Sequence, residues 1–322
     1  MRKLAWAFPE PCAARDSFSG SDSSFAGQED GDESVEVLEQ AIRLAPTYPE
    51  PYILLGKIYE KQNNPKAIEL FKKAAQLNPK HPEVFLLLGN IYFAQSDYEN
   101  AIECFEHNLL LNPEKAGSYY HLGKAYLKEE RHTSAIEMLL KASQLEAGHT
   151  DTFFQLGVAY SAHGYYEEAI QALGDAFKLD PGLPEAYYNA LGNAYLMQGA
   201  PAMAIEACGK ALQLDANNAD AYTILAKAYL LENDYAKATE ACQKAIKFNS
   251  GNAGAHTVMG SIYFAKNNFY NALKACKRAL KINPRYADAL IVAGDACYAM
   301  KQFENASAFY EKAFEINPLQ AK

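Results

Sequence analysis

A small residue returns along this chain at an almost constant interval. Gly56, Gly89, Gly123, Gly157, Gly192, Ala226, Gly260 and Gly294 are separated by 33, 34, 34, 35, 34, 34 and 34 residues. Self-similarity at a period of this length restricts a chain to solenoids, propellers and related arrays. Two further series keep step with the first. Ala67, Ala101, Ala135, Ala169, Ala204, Ala238, Ala272 and Ala306 follow twelve residues later, eleven in the first repeat. Seven further on come Ala74, Asn108, Ala142, Ala176, Ala211, Ala245, Ala279 and Ala313, a row broken only by Asn108. Large residues flank the glycines: leucine precedes most of them, and Tyr59, Tyr92, Tyr126, Tyr160, Tyr195, Tyr229 and Tyr263 sit three residues after. These spacings place apolar residues on helical faces, with no strand-like alternation to compete. Helix axes approach at the lower end of the ~8–10 Å range only where contact residues are small, so each repeat holds two closely packed helices.

Turn residues punctuate the pattern. Asn63-Asn64-Pro65, Ser96-Asp97, Asn233-Asp234 and Asn267-Asn268 separate the helices of a repeat; Asn78-Pro79, Asn112-Pro113, Asp180-Pro181, Asn283-Pro284 and Asn317-Pro318 separate repeats. The aromatic, Leu-Gly, Tyr, Ala, Ala and Pro places in 34 residues resemble the tetratricopeptide repeat family. That resemblance implies an all-α, right-handed superhelical solenoid of antiparallel helix pairs, with the first helix of each pair lining a concave groove. Eight full repeats are expected at 49–81, 82–115, 116–149, 150–183, 184–218, 219–252, 253–286 and 287–320, preceded by the lone helix of a degenerate half repeat at 34–48. Residues 1–33, rich in Ser, Gly and Asp, are expected to be a disordered tail. The one 35-residue spacing is expected to be absorbed in the linker before Gly192, because loops accept insertions at less cost than helices; that register predicts Tyr188, not Tyr187, as the buried aromatic. No polar capping helix is expected after the eighth repeat, so apolar surface around Phe309, Tyr310 and Phe314 is expected to invite end-to-end self-association.

Charge and motifs narrow the function. A net charge of -9 argues against a phosphate-tracking surface, and nucleic acid is not an expected partner. No apolar run reaches the ~18–20 residues of a membrane span, and the run from Leu4 to Phe8 ends at Pro9, short of a secretory h-region; a cytoplasmic protein with no membrane partner is expected. Cys208, Cys242 and Cys276 recur at 34 residues where other repeats carry Phe71, Phe105, Leu139, Leu173 and Tyr310, so they read as small core residues. Cys104 and His107 share a helix face without a second pair to complete a metal site, and no phosphate loop or nucleophile triad occurs. No enzyme activity, cofactor or metal is expected.

The remaining class is a protein-binding scaffold or adaptor. With the glycine series at position 8 of each repeat, the resemblance implies that positions 2, 5, 9, 12 and 13 face the groove. The expected peptide-binding residues are Lys57, Asn90, Phe93, Lys124, Leu127, Lys128, Asn189, Asn193, Leu196, Lys227, Leu230, Phe264 and Tyr298, the apolar ones accepting hydrophobic anchors and the lysines acidic groups of an extended peptide or helix. An alternative is the substrate-recognition arm of a larger enzyme resembling an O-GlcNAc transferase, but position 6 carries Leu54, Leu87, His121, Gln155, Ala190, Ile224, Val258 and Val292 instead of an asparagine ladder. A co-chaperone clamping a C-terminal carboxylate is a further alternative, and the Lys and Asn pattern it needs is absent.

Overall fold

The computed structural model describes residues 29–316, which form seventeen helices and no strand. A lone helix, α1 (Glu29–Leu44), is followed by eight first and eight second helices in alternation: α2 (Pro49–Lys61), α3 (Lys66–Leu77), α4 (Pro82–Ala94), α5 (Tyr98–Leu111), α6 (Ala116–Lys128), α7 (His132–Leu145), α8 (Thr150–His163), α9 (Tyr166–Leu179), α10 (Glu185–Gln198), α11 (Pro201–Leu214), α12 (Ala219–Leu231), α13 (Tyr235–Phe248), α14 (Ala253–Ala265), α15 (Phe269–Ile282), α16 (Ala287–Ala299) and α17 (Phe303–Ile316). Helix α1 starts at Glu29, five residues before the expected lone helix. The rest of the expected disordered tail, residues 1–28, lies outside the described residues.

The chain divides into two compact units, residues 1–95 with α1–α4 and residues 96–322 with α5–α17. In the second unit each first helix packs on the second helix of its own repeat, and each second helix on the first helix that follows. First helices also pack on one another, α6 on α8 and so on to α14 on α16, whereas the second helices are held apart. First helices therefore line the inner side of this stack and second helices the outer side.

The two alanine rows are buried throughout, at 2% exposure or less. A Cβ added at Gly123 would stand 2.7 Å from Leu139 Cγ, and one at Gly157 would stand 2.6 Å from Leu173 Cγ. At these two positions glycine is thus a packing requirement: the second helix places a branched side chain where a first-helix side chain would begin. Where the alanine row breaks, buried Asn108 accepts a hydrogen bond from the buried Ser118 hydroxyl, so the two polar substitutions satisfy each other.

Each turn between the helices of a repeat contains one residue with positive φ, at Asn63, Ser96, Glu130, Gly164, Gly199, Asn233, Asn267 and Lys301. In most repeats the next N–H reaches back to the carbonyl of the position-11 residue, as from Asn64 to Tyr59, Arg131 to Tyr126 and Gln302 to Cys297. This left-handed helix end suits Gly and Asn, and is strained at Glu130 and Lys301.

The extra residue before Gly192 enters the linker, which spans 180–184 where its neighbour spans 146–149. The buried aromatic, however, is Tyr187 at 5% exposure, while Tyr188 is half-buried. The position-4 expectation is corrected because position 3 is the closed one in this unit: Ser118, Thr152, Tyr187, Ala221, Ala255 and Ala289 are all buried there. Tyr187 packs with Leu183 from the lengthened linker and with Phe154 and Phe177, and its hydroxyl donates to Asp151.

Candidate functional site

The expected groove residues divide between the two units. In the first, the ammonium of Lys57 lies 2.6 Å from Glu83 Oε1, so this lysine already has a carboxylate partner. Asn90 is half-buried and lines, with Glu60, Pro65 and Ile91, an open cleft of about 440 Å³; Phe93 is half-buried as well. Burial holds the Glu60 carboxyl above its ordinary range, an effect partly offset by Lys57.

In the second unit the inner face changes along the stack. In repeats 3 and 4 it is aromatic. Tyr120 stands edge-on to His149 with ring centroids 4.9 Å apart, Lys124 places its ammonium 5.2 Å from the Tyr120 centroid, and His121 stacks on Phe105 at 5.4 Å. Desolvation, reinforced by Lys124, His149 and Lys115, lowers the His121 pKa to about 4, so the ring is neutral at physiological pH. Desolvation and the Asp151 charge push the Tyr120 hydroxyl up to about 12. Leu127 is half-buried and Lys128 is exposed.

In repeats 5 to 7 the same register is amide and hydroxyl. The Asn189 amide donates to Asn218 Oδ1 at 3.1 Å, and that oxygen also caps α12 by accepting from the Ala221 N–H. One repeat on, Asn252 caps α14 through the Ala255 N–H, while its amide donates to Thr223 Oγ1 at 3.0 Å and Asp220 Oδ1 at 3.3 Å. Thr223 and Thr257 return their own hydroxyls to the backbone carbonyls of Ala219 and Ala253. Position 5 here ties one repeat to the next. Asn189, expected as a groove contact, is bound into that ladder.

What remains open is positions 9, 12 and 13. Asn193 is exposed, and Lys227, Leu230 and Phe264 are half-buried. Tyr298 is 62% exposed and meets Phe303 edge-on at 5.5 Å. Leu196 is a correction: at 7% exposure it belongs to the core with Ala204, Cys208 and Leu225, so it cannot face a ligand. Its neighbour Met197 takes the open place at 53% exposure, and Leu231 matches it at 58%. The position-13 signal that points to these two is already present in the register. Taking the apolar anchors from position 12 alone missed them.

Cys208, Cys242 and Cys276 are fully buried, as their register predicts, and burial pushes each thiol up to about 12. At this pKa they are inert packing groups. Among the described residues no helix is long and apolar enough to cross a membrane, and no group of three or more His, Cys, Asp or Glu side chains is placed to hold a metal ion. On α17, Phe314 is 53% exposed, and Tyr310 is half-buried where Leu173 and Cys242 are closed.

Comparison with known proteins places this geometry in a family. Five tetratricopeptide repeat models match residues 27–63, 154–219, 195–262, 253–286 and 287–318. A model described as anaphase-promoting complex, cyclosome, subunit 3 matches residues 57–142. No curated protein matches. Among solved structures, a tetratricopeptide repeat protein from Parabacteroides merdae aligns with TM-score 0.67 and 14% identity, over 77% of this chain and 98% of that one. A chain of the APC/C hetero-tetramer Cut9-Hcn1 aligns with TM-score 0.59 and 16% identity over 91% of this chain. This chain spans 57% of the length of that Cut9-Hcn1 chain. The C-terminal part of a tetratricopeptide repeat-containing protein from Cytophaga hutchinsonii aligns with TM-score 0.52 and 21% identity, over 74% and 98%. At these identities the structural likeness speaks to the fold alone. The repeat matches, the helix pairs and the periodic packing together establish that the chain belongs to the tetratricopeptide repeat family.

Proposed function

We propose that the chain is a protein-interaction scaffold whose C-terminal unit grips an extended segment or helix of a partner along its first helices. The observation that carries this reading is a row of side chains at positions 9, 12 and 13, with Asn193, Met197, Lys227, Leu230, Leu231, Phe264 and Tyr298 open or half-open along α10–α16. The residues beneath them are locked into the core or the Asn–Thr ladder, so the row is presented on a rigid base. Met197, Leu231 and Phe264 would take apolar anchors; Asn193 and Lys227 would fix register by hydrogen bonding.

Affinity capture from the native host, comparing the wild type with a Met197→Ser/Leu231→Ser/Phe264→Ser variant by quantitative mass spectrometry, tests the reading. Stoichiometric partners are expected to fall about tenfold or more in the variant while its thermal stability stays within about 1 kcal/mol of wild type. Equal recovery by a folded variant would move binding off this face.

A second reading, membership in a multi-subunit assembly, is supported by the match of residues 57–142 to the anaphase-promoting complex subunit model. It calls for co-elution of the chain with a large complex on sizing of native extracts.

A further inference from the structure

The outer side of the C-terminal unit carries a charge feature that the net charge of -9 conceals. Helix α15 reads FYNALKACKRALKI, with four cations and no carboxylate. Lys274, Lys277, Arg278 and Lys281 fall at i, i+3, i+4 and i+7, hence on one helix face, and Arg285 follows in the linker. All five are exposed, and none forms an ion pair with a described carboxylate. On α11 and α13, by contrast, Lys210, Lys237 and Lys244 are neutralised by Glu206, Asp234 and Glu240. Tyr270, 71% exposed, stands one turn before Lys274 on the same stripe.

We infer that this face of α15 docks an acidic segment of a protein partner, at a surface separate from the inner face proposed above. The match is one of charge and dimension. At ~1.5 Å per residue the line from Lys274 to Lys281 is about 10 Å long, the length of two turns of an acidic helix laid alongside with carboxylates at matching i, i+4 spacing. Tyr270 offers an aromatic ledge for an apolar residue at the end of such a segment. A nucleic-acid strand fits less well. The next outer helix, α17, presents exposed Glu304, Glu311 and Glu315, so a phosphate backbone running past the stripe meets like charge.

The test uses the full chain and a fluorescein-labelled peptide of repeated Glu-Glu-Leu-Ala as probe, read by anisotropy at low salt. Binding is expected to weaken about tenfold or more in a Lys274→Gln/Lys277→Gln/Arg278→Gln/Lys281→Gln variant. It is expected to persist in a Lys61→Gln/Lys72→Gln/Lys73→Gln/Lys80→Gln control, which loses the same charge from exposed sites elsewhere. Persistence in the Met197→Ser/Leu231→Ser/Phe264→Ser variant separates this surface from the inner face. Equal loss in both glutamine variants would reduce the effect to overall charge and overturn the inference. So would tighter binding of a thymidine oligonucleotide than of the peptide.

Discussion

Opposite Gly123 and Gly157 lie the branched side chains of Leu139 and Leu173; at the same register in the next three repeats, Gly192, Ala226 and Gly260 face Cys208, Cys242 and Cys276. The two regions divide one contact volume differently, glycine against leucine in repeats 3 and 4, glycine or alanine against cysteine in repeats 5 to 7. The inner face changes with them, from the Tyr120, His121, His149 and Phe154 aromatics to the Asn189, Asn218, Thr223 and Asn252 ladder. The repeat frame therefore constrains summed volume and hydrogen-bond closure, and leaves the chemistry that meets them free.

The largest effects are expected from exchanging the two packing solutions. Leu173→Cys should cost about 2–4 kcal/mol by opening a cavity, and Gly157→Ala about 1–3 kcal/mol by driving a Cβ into Leu173. Combined, they recreate the Ala226 and Cys242 pairing, and the double variant should lose less than the sum of the two. Strict additivity in denaturant melts would break the volume argument.

Next comes the ladder. Asn252→Ala removes the α14 cap and two bonds to α12, and should destabilise by about 1–3 kcal/mol, with hydrogen-exchange protection lost first at the α12–α14 junction. Loss spread evenly to α6–α9 would contradict nearest-neighbour coupling.

The smallest effect is a pH slope confined to the aromatic region. His121 binds a proton in the fold only near pH 4, whereas an unfolded imidazole does so near 6.5. Between these values the unfolded state holds more protons, so stability rises with pH through this window and is lost as pH falls from about 7 toward 4. His121→Leu should flatten that part of the profile, measured as Tm against pH. An unchanged slope would assign the acid sensitivity to other groups.

The fold was legible because its determinants are periodic and local: glycine against branched side chain, alanine rows, and turn residues at one place in every repeat. Even the break at Asn108 was visible as a break, though its partner Ser118 was not, since their contact joins adjacent repeats across a linker. The site was less legible. Which of Leu196 and Met197, or Tyr187 and Tyr188, points inward depends on helix rotation of a fraction of a turn, and consensus positions do not fix that. Asn189 read as a ligand contact because its amide looks free until α12 supplies Asn218. The basic face of α15 was hidden by averaging charge over a chain that is acidic as a whole.

The central claim, that partners bind the inner face of the C-terminal unit, is tested most directly by photo-crosslinking. A benzoylphenylalanine placed at Leu231 on α12, and in a parallel protein at exposed Gln213 on α11, is irradiated in native extract. Discrete protein adducts at Leu231 with none at Gln213 are the expected result. Adducts at Gln213 alone would contradict the account and place the interaction on the outer helices.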